Sequence, residues 1–258
     1  MPAPRRTAFL TAATATRAAL AALRTRPPGD PTRWQRTNFA GRTVELYGGP
    51  ATAVGAALGA AALAPRPRAA AGLAVLAAGA CGAYDDVAGA GDPRRGFRAH
   101  LGALRGGEVT SGAVKLFGVS AAALAAGALL KERPVDKLLA GVVIAGTAHF
   151  VNLVDVRPGR AAATVLALGA PGLLRVGPGA TLAAASMGAA AAVLPDDVGR
   201  RTMIGDTGAH ALGAALGAAI VAGNGRAGLA LHAAGLVAAA ACGDTVSRVA
   251  ASAFGETR

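Results

Sequence analysis

The stretch Ala69-Ala-Ala-Gly-Leu-Ala-Val-Leu-Ala-Ala-Gly-Ala-Cys-Gly-Ala83 contains no charged or hydrogen-bonding side chain except its cysteine, and it runs directly into Tyr84-Asp-Asp86. A helix built from it is apolar on every face, so it needs either a large protein core or a bilayer around it. Similar runs recur at Ala51–Ala64, Ser120–Leu130, Leu138–Ala148, Ala161–Leu174, Thr181–Leu194, Ala209–Ala222 and Ala227–Ala241, each bounded by charge, Pro or Gly. A soluble helical protein would show a polar stripe at 3.6-residue spacing, which these runs lack. With 258 residues, 53% apolar and 16% charged, the natural solvent is lipid.

A helix needs roughly 20 residues to cross the hydrocarbon, so the runs borrow flanking residues. Nine spans are expected, near residues 7–23, 46–64, 69–84, 113–130, 137–153, 161–175, 179–195, 207–222 and 226–242. Met1–Leu23 is interrupted by Arg17 and shows no clean cleavage site, so it reads as a first span rather than a removed signal peptide. The expected fold is an all-α polytopic transmembrane bundle forming a single integral membrane domain over residues 1–258. Cys81 and Cys242 make neither a disulfide framework nor a zinc motif. Small residues dominate the spans and let helices approach closely.

Placing the amino terminus outside puts 24–45, 85–112, 154–160, 196–206 and the tail 243–258 in the cytoplasm. Those segments with Lys115 hold 16 of the 26 Lys and Arg residues, as the positive-inside rule requires. Of the 14 Asp and Glu residues only Glu132 and Asp136 fall on the other side. No orientation rule governs acids, so their gathering points to function. The net charge of +12 lies in short loops without interleaved aromatics, which argues against nucleic acid and for lipid headgroups or phosphorylated substrates.

Four cytoplasmic features carry chemistry. Asp85-Asp86 at a span end is a repelling carboxylate pair of the kind that holds a hard cation, with a solvated helix end as the plain alternative. The loop Arg94-Arg-Gly-Phe-Arg-Ala-His100 runs on to Lys115 and offers guanidinium forks and a point charge to phosphate. Asn152 and Asp155 share a helical face, an alternative being Asp155 paired with Arg157 or Arg160. In Ile204-Gly-Asp-Thr-Gly-Ala-His210, glycines flanking Asp206 let backbone N–H groups face an anion at a helix amino terminus, with a simple N-cap as the alternative.

In this order and spacing, Tyr84-Asp-Asp-Val-Ala-Gly89, Arg95-Gly-Phe-Arg-Ala-His-Leu101, Gly112-Ala-Val-Lys115, Asn152-Leu-Val-Asp155 and Ile204–Gly213 resemble the polyprenyl-phosphate N-acetylhexosamine-1-phosphate transferase family. The similarity runs from about Gly41 to about Leu216. It implies an enzyme of the plasma (inner) membrane that transfers a sugar 1-phosphate from a UDP-amino sugar to polyprenyl phosphate and releases UMP, for cell-envelope glycan synthesis. Carried over position by position, it implies Asp85, Asp86 and Asp206 as catalytic carboxylates. It implies Asp86, Asp155 and Asp206 as ligands of Mg²⁺, or of Mn²⁺ in its place. Lys115, Asn152, Arg95, Arg98, His100 and His210 would contact substrate, and a homodimer is an assembly open to the chain.

Two departures keep other readings in play. The family's third loop reads Asn-Leu-x-Asp-Gly-Leu-Asp-Gly, and here Pro158 stands where the second Asp belongs. No histidine-rich loop follows the ninth span. These support a catalytically impaired relative that serves as a membrane scaffold or lipid-phosphate-binding protein. A transporter is the third reading, disfavoured because the acids sit at span ends rather than mid-membrane.

Overall fold

The computed structural model describes residues 1–92, 94 and 96–252, except for the side chains of Phe97 and Arg98. It is all-helical apart from one small hairpin. In chain order the helices are α1 (Ala3–Thr25), α2 (Gly48–Gly59), α3 (Pro65–Ala88), α4 (Gly96–Arg105), α5 (Ser111–Leu130), α6 (Pro134–Val154), α7 (Arg160–Gly169), α8 (Pro178–Val198), α9 (Gly205–Gly223), α10 (Arg226–Ala241) and α11 (Gly243–Ser252). Proline opens α3, α6 and α8, where its missing N–H costs nothing. Thr110 caps α5, its hydroxyl accepting the Ala113 N–H at 3.1 Å.

The hairpin pairs β1 (Gln35–Thr37) with β2 (Thr43–Glu45) in antiparallel register, Arg36 opposite Val44. Asn38 closes its turn, Oδ1 accepting the N–H groups of Ala40 (2.9 Å) and Arg42 (3.0 Å). Glu45 then receives the Met203 N–H on its carbonyl at 2.9 Å, which fixes the hairpin against the segment entering α9.

Polar contacts segregate to two ends of the bundle. At one end lie Arg24 with Glu45, Lys115 with Asp85, Arg17 with Asp196, and Gly159 with Asp197. At the other lie Arg5 with Leu173, Arg66 with Glu132, Arg226 with Asp136, and Lys131 with Asn224. The long helices therefore run alternately between an acidic end and an opposite end. α9 is the central one, packed on α2, α3, α6 and α8, and is buried from Thr207 to Ala219.

Helix lengths revise the expected spans. Each of the nine expected segments contains a helix, yet among the described residues four helices, α3, α5, α6 and α8, are long and apolar enough to cross a membrane. A fifth is α10 with α11 if the pair, bent by 85°, counts as one span. α2 has 12 residues and α7 has 10, which at about 1.5 Å per residue is less than the hydrocarbon thickness. The count of nine spans exceeds what helix length supports. Two segments read as loop or tail, 85–112 and 243–258, also carry the helices α4 and α11.

The packing is that of a protein in lipid. Ala and Gly fill the interior, with Ala209, Ala211, Ala214 and Ala218 all but inaccessible, while Leu76, Phe117, Leu138 and Leu231 face outward and are at least half exposed. In water such an outer surface would be a large apolar patch. In lipid it is the solvent-facing side, and small residues let the backbones close together. Gly213 shows how tightly: a Cβ there would sit 2.6 Å from the Ala148 Cα and from the Thr147 carbonyl oxygen of α6. Gly213→Val is expected to destabilise the bundle by about 1–3 kcal/mol through overpacking. Gly235→Ala, at a site with no atom within 4 Å of the new Cβ, should leave the thermal transition unchanged or raise it.

Candidate functional site

Three helices deliver carboxylates to the acidic end at their carboxyl termini. Asp85 and Asp86 lie in the last turn of α3, Asp155 is the C-cap of α6, and Asp196 and Asp197 end α8. Partial negative charge already resides at these helix ends, so fold stability alone disfavours acids there. α5 and α9 begin at the same place and supply the compensating groups.

The amino terminus of α9 enters beside Asp86. The N–H of Asp206 donates to Asp86 Oδ1 (3.1 Å), the N–H of Thr207 to Oδ2 (2.9 Å), and the Thr207 hydroxyl to Oδ2 (2.6 Å). Asp86 is thus a tertiary cap reaching from α3 to the start of α9. The expectation that these amides face an anion holds, but the anion here is an internal carboxylate. Gly205 has φ of +55°, and a Cβ there would come within 3.0 Å of both Asp86 oxygens, so glycine suits both the backbone and the approach. Gly82, one turn before Asp86, lets α3 run against the Asp206 carbonyl.

Lys115, in the first turns of α5, donates to Asp85 Oδ2 at 2.5 Å and to Asp206 Oδ2. One ammonium therefore compensates two carboxylates from two helices. Asp155 is placed differently. Its backbone N–H donates to the Asn152 carbonyl (3.2 Å), but no cation meets its side chain among the described residues. Burial, reinforced by the charges of Asp197, Asp206 and Asp86, holds its carboxyl well above the usual carboxylate range. Asp197, almost fully buried, spends Oδ2 on the Gly159 N–H (2.7 Å), which fixes the loop after Asp155.

Lys115 also lines a cavity of about 420 Å³ between α4, α5, α6, α9 and α10, whose walls include none of the carboxylates themselves. Its polar part is formed by Lys115, Asn152, His100, His149 and His210, and its walls continue along apolar side chains such as Leu116, Val119 and Leu236. His210 donates Nδ1–H to the Asp206 carbonyl (2.8 Å), which leaves Nε2 as the acceptor of a neutral ring. His100 Nδ1 lies 2.9 Å from Thr110 Oγ1, and its ring covers Gly112, where a Cβ would collide with it.

The structure therefore brings together Asp85, Asp86, Asp206 and Lys115 by direct contacts, with Asp155 in their field and Asn152, His100 and His210 on the adjoining cavity. Arg95 lies outside the described residues, as does the Arg98 side chain. Sequence reasoning missed Asp197 and His149 as contributors, although Asp196-Asp197 repeats the paired-acid pattern of Asp85-Asp86 shortly before the Gly-Asp-Thr-Gly turn.

A divalent ion does not fit this arrangement. Among the described residues no three His, Cys, Asp or Glu side chains are grouped to hold a metal. Lys115 occupies the space between Asp85 and Asp206, and both oxygens of Asp86 are engaged by α9.

Compared with known protein families and with curated proteins, the chain matches none of them. The family resemblance rests on the sequence motifs alone.

Two substitutions with opposite signs check these electrostatics. Lys115→Met should destabilise by about 2–3 kcal/mol, between the values for exposed and buried pairs, because it leaves two carboxylates facing each other. Asp155→Asn should raise the thermal transition by about 2–4 °C by removing a carboxyl whose ionisation the fold opposes. A lower transition for Asp155→Asn would reveal a cation partner for that carboxylate.

Proposed function

We propose that the chain transfers a sugar 1-phosphate from a UDP-amino sugar to a polyprenyl phosphate at the inner face of the plasma membrane, as a divergent relative of the family its motifs resemble. The observation that carries this reading is the meeting of a Lys-compensated carboxylate cluster with a cavity that is polar at one end and apolar along its helical walls. Such a cavity matches a lipid whose charged head reacts while its chain stays among helices.

The reaction forms one bond and breaks one. An oxygen of the lipid phosphate attacks the phosphorus that bears the sugar, and the bond between that phosphorus and the bridging oxygen to the uridylyl phosphate breaks, so UMP leaves with the electron pair. The attacking group has a second pKa of about 6 and is largely ionised at neutral pH, so no strong base is required. Positioning and positive charge are the requirements. Lys115 is the ammonium able to turn from Asp85 and Asp206 to a phosphate oxygen, His210 and His100 offer ring nitrogens to the head group, and Asp86 keeps the α9 terminus in register. Asp85 and Asp206 reclaim Lys115 when product departs.

A second reading has a specific observation behind it. Lys115 tied to two carboxylates, Pro158 in the third loop, and the lack of a three-donor metal set among the described residues together favour a lipid-phosphate-binding scaffold without turnover. A transporter fits less well, since the acids gather at one end of the bundle.

Purified protein in nanodiscs should release UMP from a UDP-amino sugar when given undecaprenyl phosphate, in assays run side by side with and without Mg²⁺. Omitting Mg²⁺ or replacing it with Mn²⁺ reads the metal requirement. Lys115→Met and Asp86→Asn are each expected to lower turnover by about 10²–10³, the usual cost of one lost electrostatic partner of a transition state. Lipid-phosphate binding without UMP release from any UDP-sugar would establish the scaffold instead.

A further inference from the structure

Phe39, at the hairpin tip and 52% exposed, has two guanidinium groups on it. The Cζ of Arg157, from the loop after α6, and the Cζ of Arg200, from the turn after α8, each lie 4.9 Å from its ring centroid. Three segments far apart in sequence thus converge on one ring, and the two guanidinium carbons are within twice that distance of each other. Cation–π attraction gathers both on the one ring, which sets two positive charges on the same exposed surface.

Neither arginine has a carboxylate partner among the described residues. Arg157 donates to the adjacent Val156 carbonyl at 3.2 Å, whereas Arg17, Arg24 and Arg201 nearby are committed to Asp196. Arg200 has φ of +57°, the one non-glycine residue with positive φ among those described, so its backbone adopts a disfavoured form to present this side chain. Asp197 builds both supports: its side chain accepts the Gly159 N–H at 2.7 Å in the Arg157 loop, and its carbonyl accepts the Arg200 N–H at 2.9 Å. A buried residue thus fixes both loops while the two cations remain accessible.

We propose that Arg157 and Arg200, gathered on Phe39, form a binding site for a phosphate anion, separate from Lys115. Each guanidinium fork offers paired N–H donors that match phosphate oxygens. The phosphate belongs either to a soluble phosphorylated compound or to an anionic lipid headgroup. The site does not depend on the transferase reading, since failure of UMP release would leave it intact.

Purified protein in detergent is titrated with inorganic phosphate, UMP and dihexanoyl-phosphatidylglycerol, and affinity is read by thermophoresis. At least one probe should bind and should weaken about tenfold or more in Arg157→Gln/Arg200→Gln, as loss of charge-assisted hydrogen bonds predicts. The same probe should be held almost unchanged by Arg66→Gln, at the opposite end of the bundle. Preference for phosphate or UMP identifies a soluble ligand, and preference for phosphatidylglycerol a headgroup. If the double variant fails to fold, Phe39→Leu, which releases both cations from the ring, should weaken the probe in the same direction. Equal affinity in the native and altered proteins, an equal loss of binding with Arg66→Gln, or no binding of any probe to the native protein would overturn the proposal.

Discussion

The amino terminus of α9 lies inside the bundle, and its N–H groups must find an acceptor there. Unpaired buried amides cost as much as lost hydrogen bonds. Asp86 meets the need from α3. That solution places a carboxylate where α3 already carries negative partial charge, and Asp85 and Asp206 follow it into the same region. Lys115 is then required between them, and α5 must start where its ammonium can reach both.

The same constraint explains the interior. For Asp86 to cap α9, α3 must touch the Asp206 backbone, which Gly82 permits and a larger residue would block. α6 must come equally close on the other side, where Gly213 and Gly217 meet Ala148 and Ile144. Small residues along α9 are the geometric condition for holding an ionic cluster at its end. Leu76, Phe117, Leu138 and Leu231 line the outer faces, where lipid accepts them.

Much of this was legible in the amino-acid order. Each functional acid stands where an apolar run stops, so Asp85, Asp86, Asp155 and Asp206 could be assigned to span ends and then to one face. What could not be read was who pairs with whom. Asp206 looked able to cap its own helix, yet Asp86, some 120 residues earlier, performs that role. Asp196-Asp197 looked like solvated loop because burial depends on tertiary packing. α4 and α11 escaped notice because ten polar-apolar residues beside a span resemble a loop. Span number was overread because apolarity reports the solvent of a segment but not the length of its helix, as the 12-residue α2 shows.

The remaining charge imbalance says where the chemistry belongs. Asp85 and Asp206 share one cation, and Asp86 has the amides and dipole of α9. Asp155 has neither: it sits on a helix carboxyl terminus, in the fields of three other carboxylates, with its loop fixed by a fourth-helix contact from Asp197 to Gly159. A fold selected for stability alone would replace this side chain with an amide at little structural cost. Its retention beside a cavity lined by Lys115 and three histidines is understandable if a positively charged or proton-bearing group arrives there with substrate, because only then does the local charge balance. The Arg157 and Arg200 pair shows the complementary imbalance on the far side of the same loop, two cations without an acid.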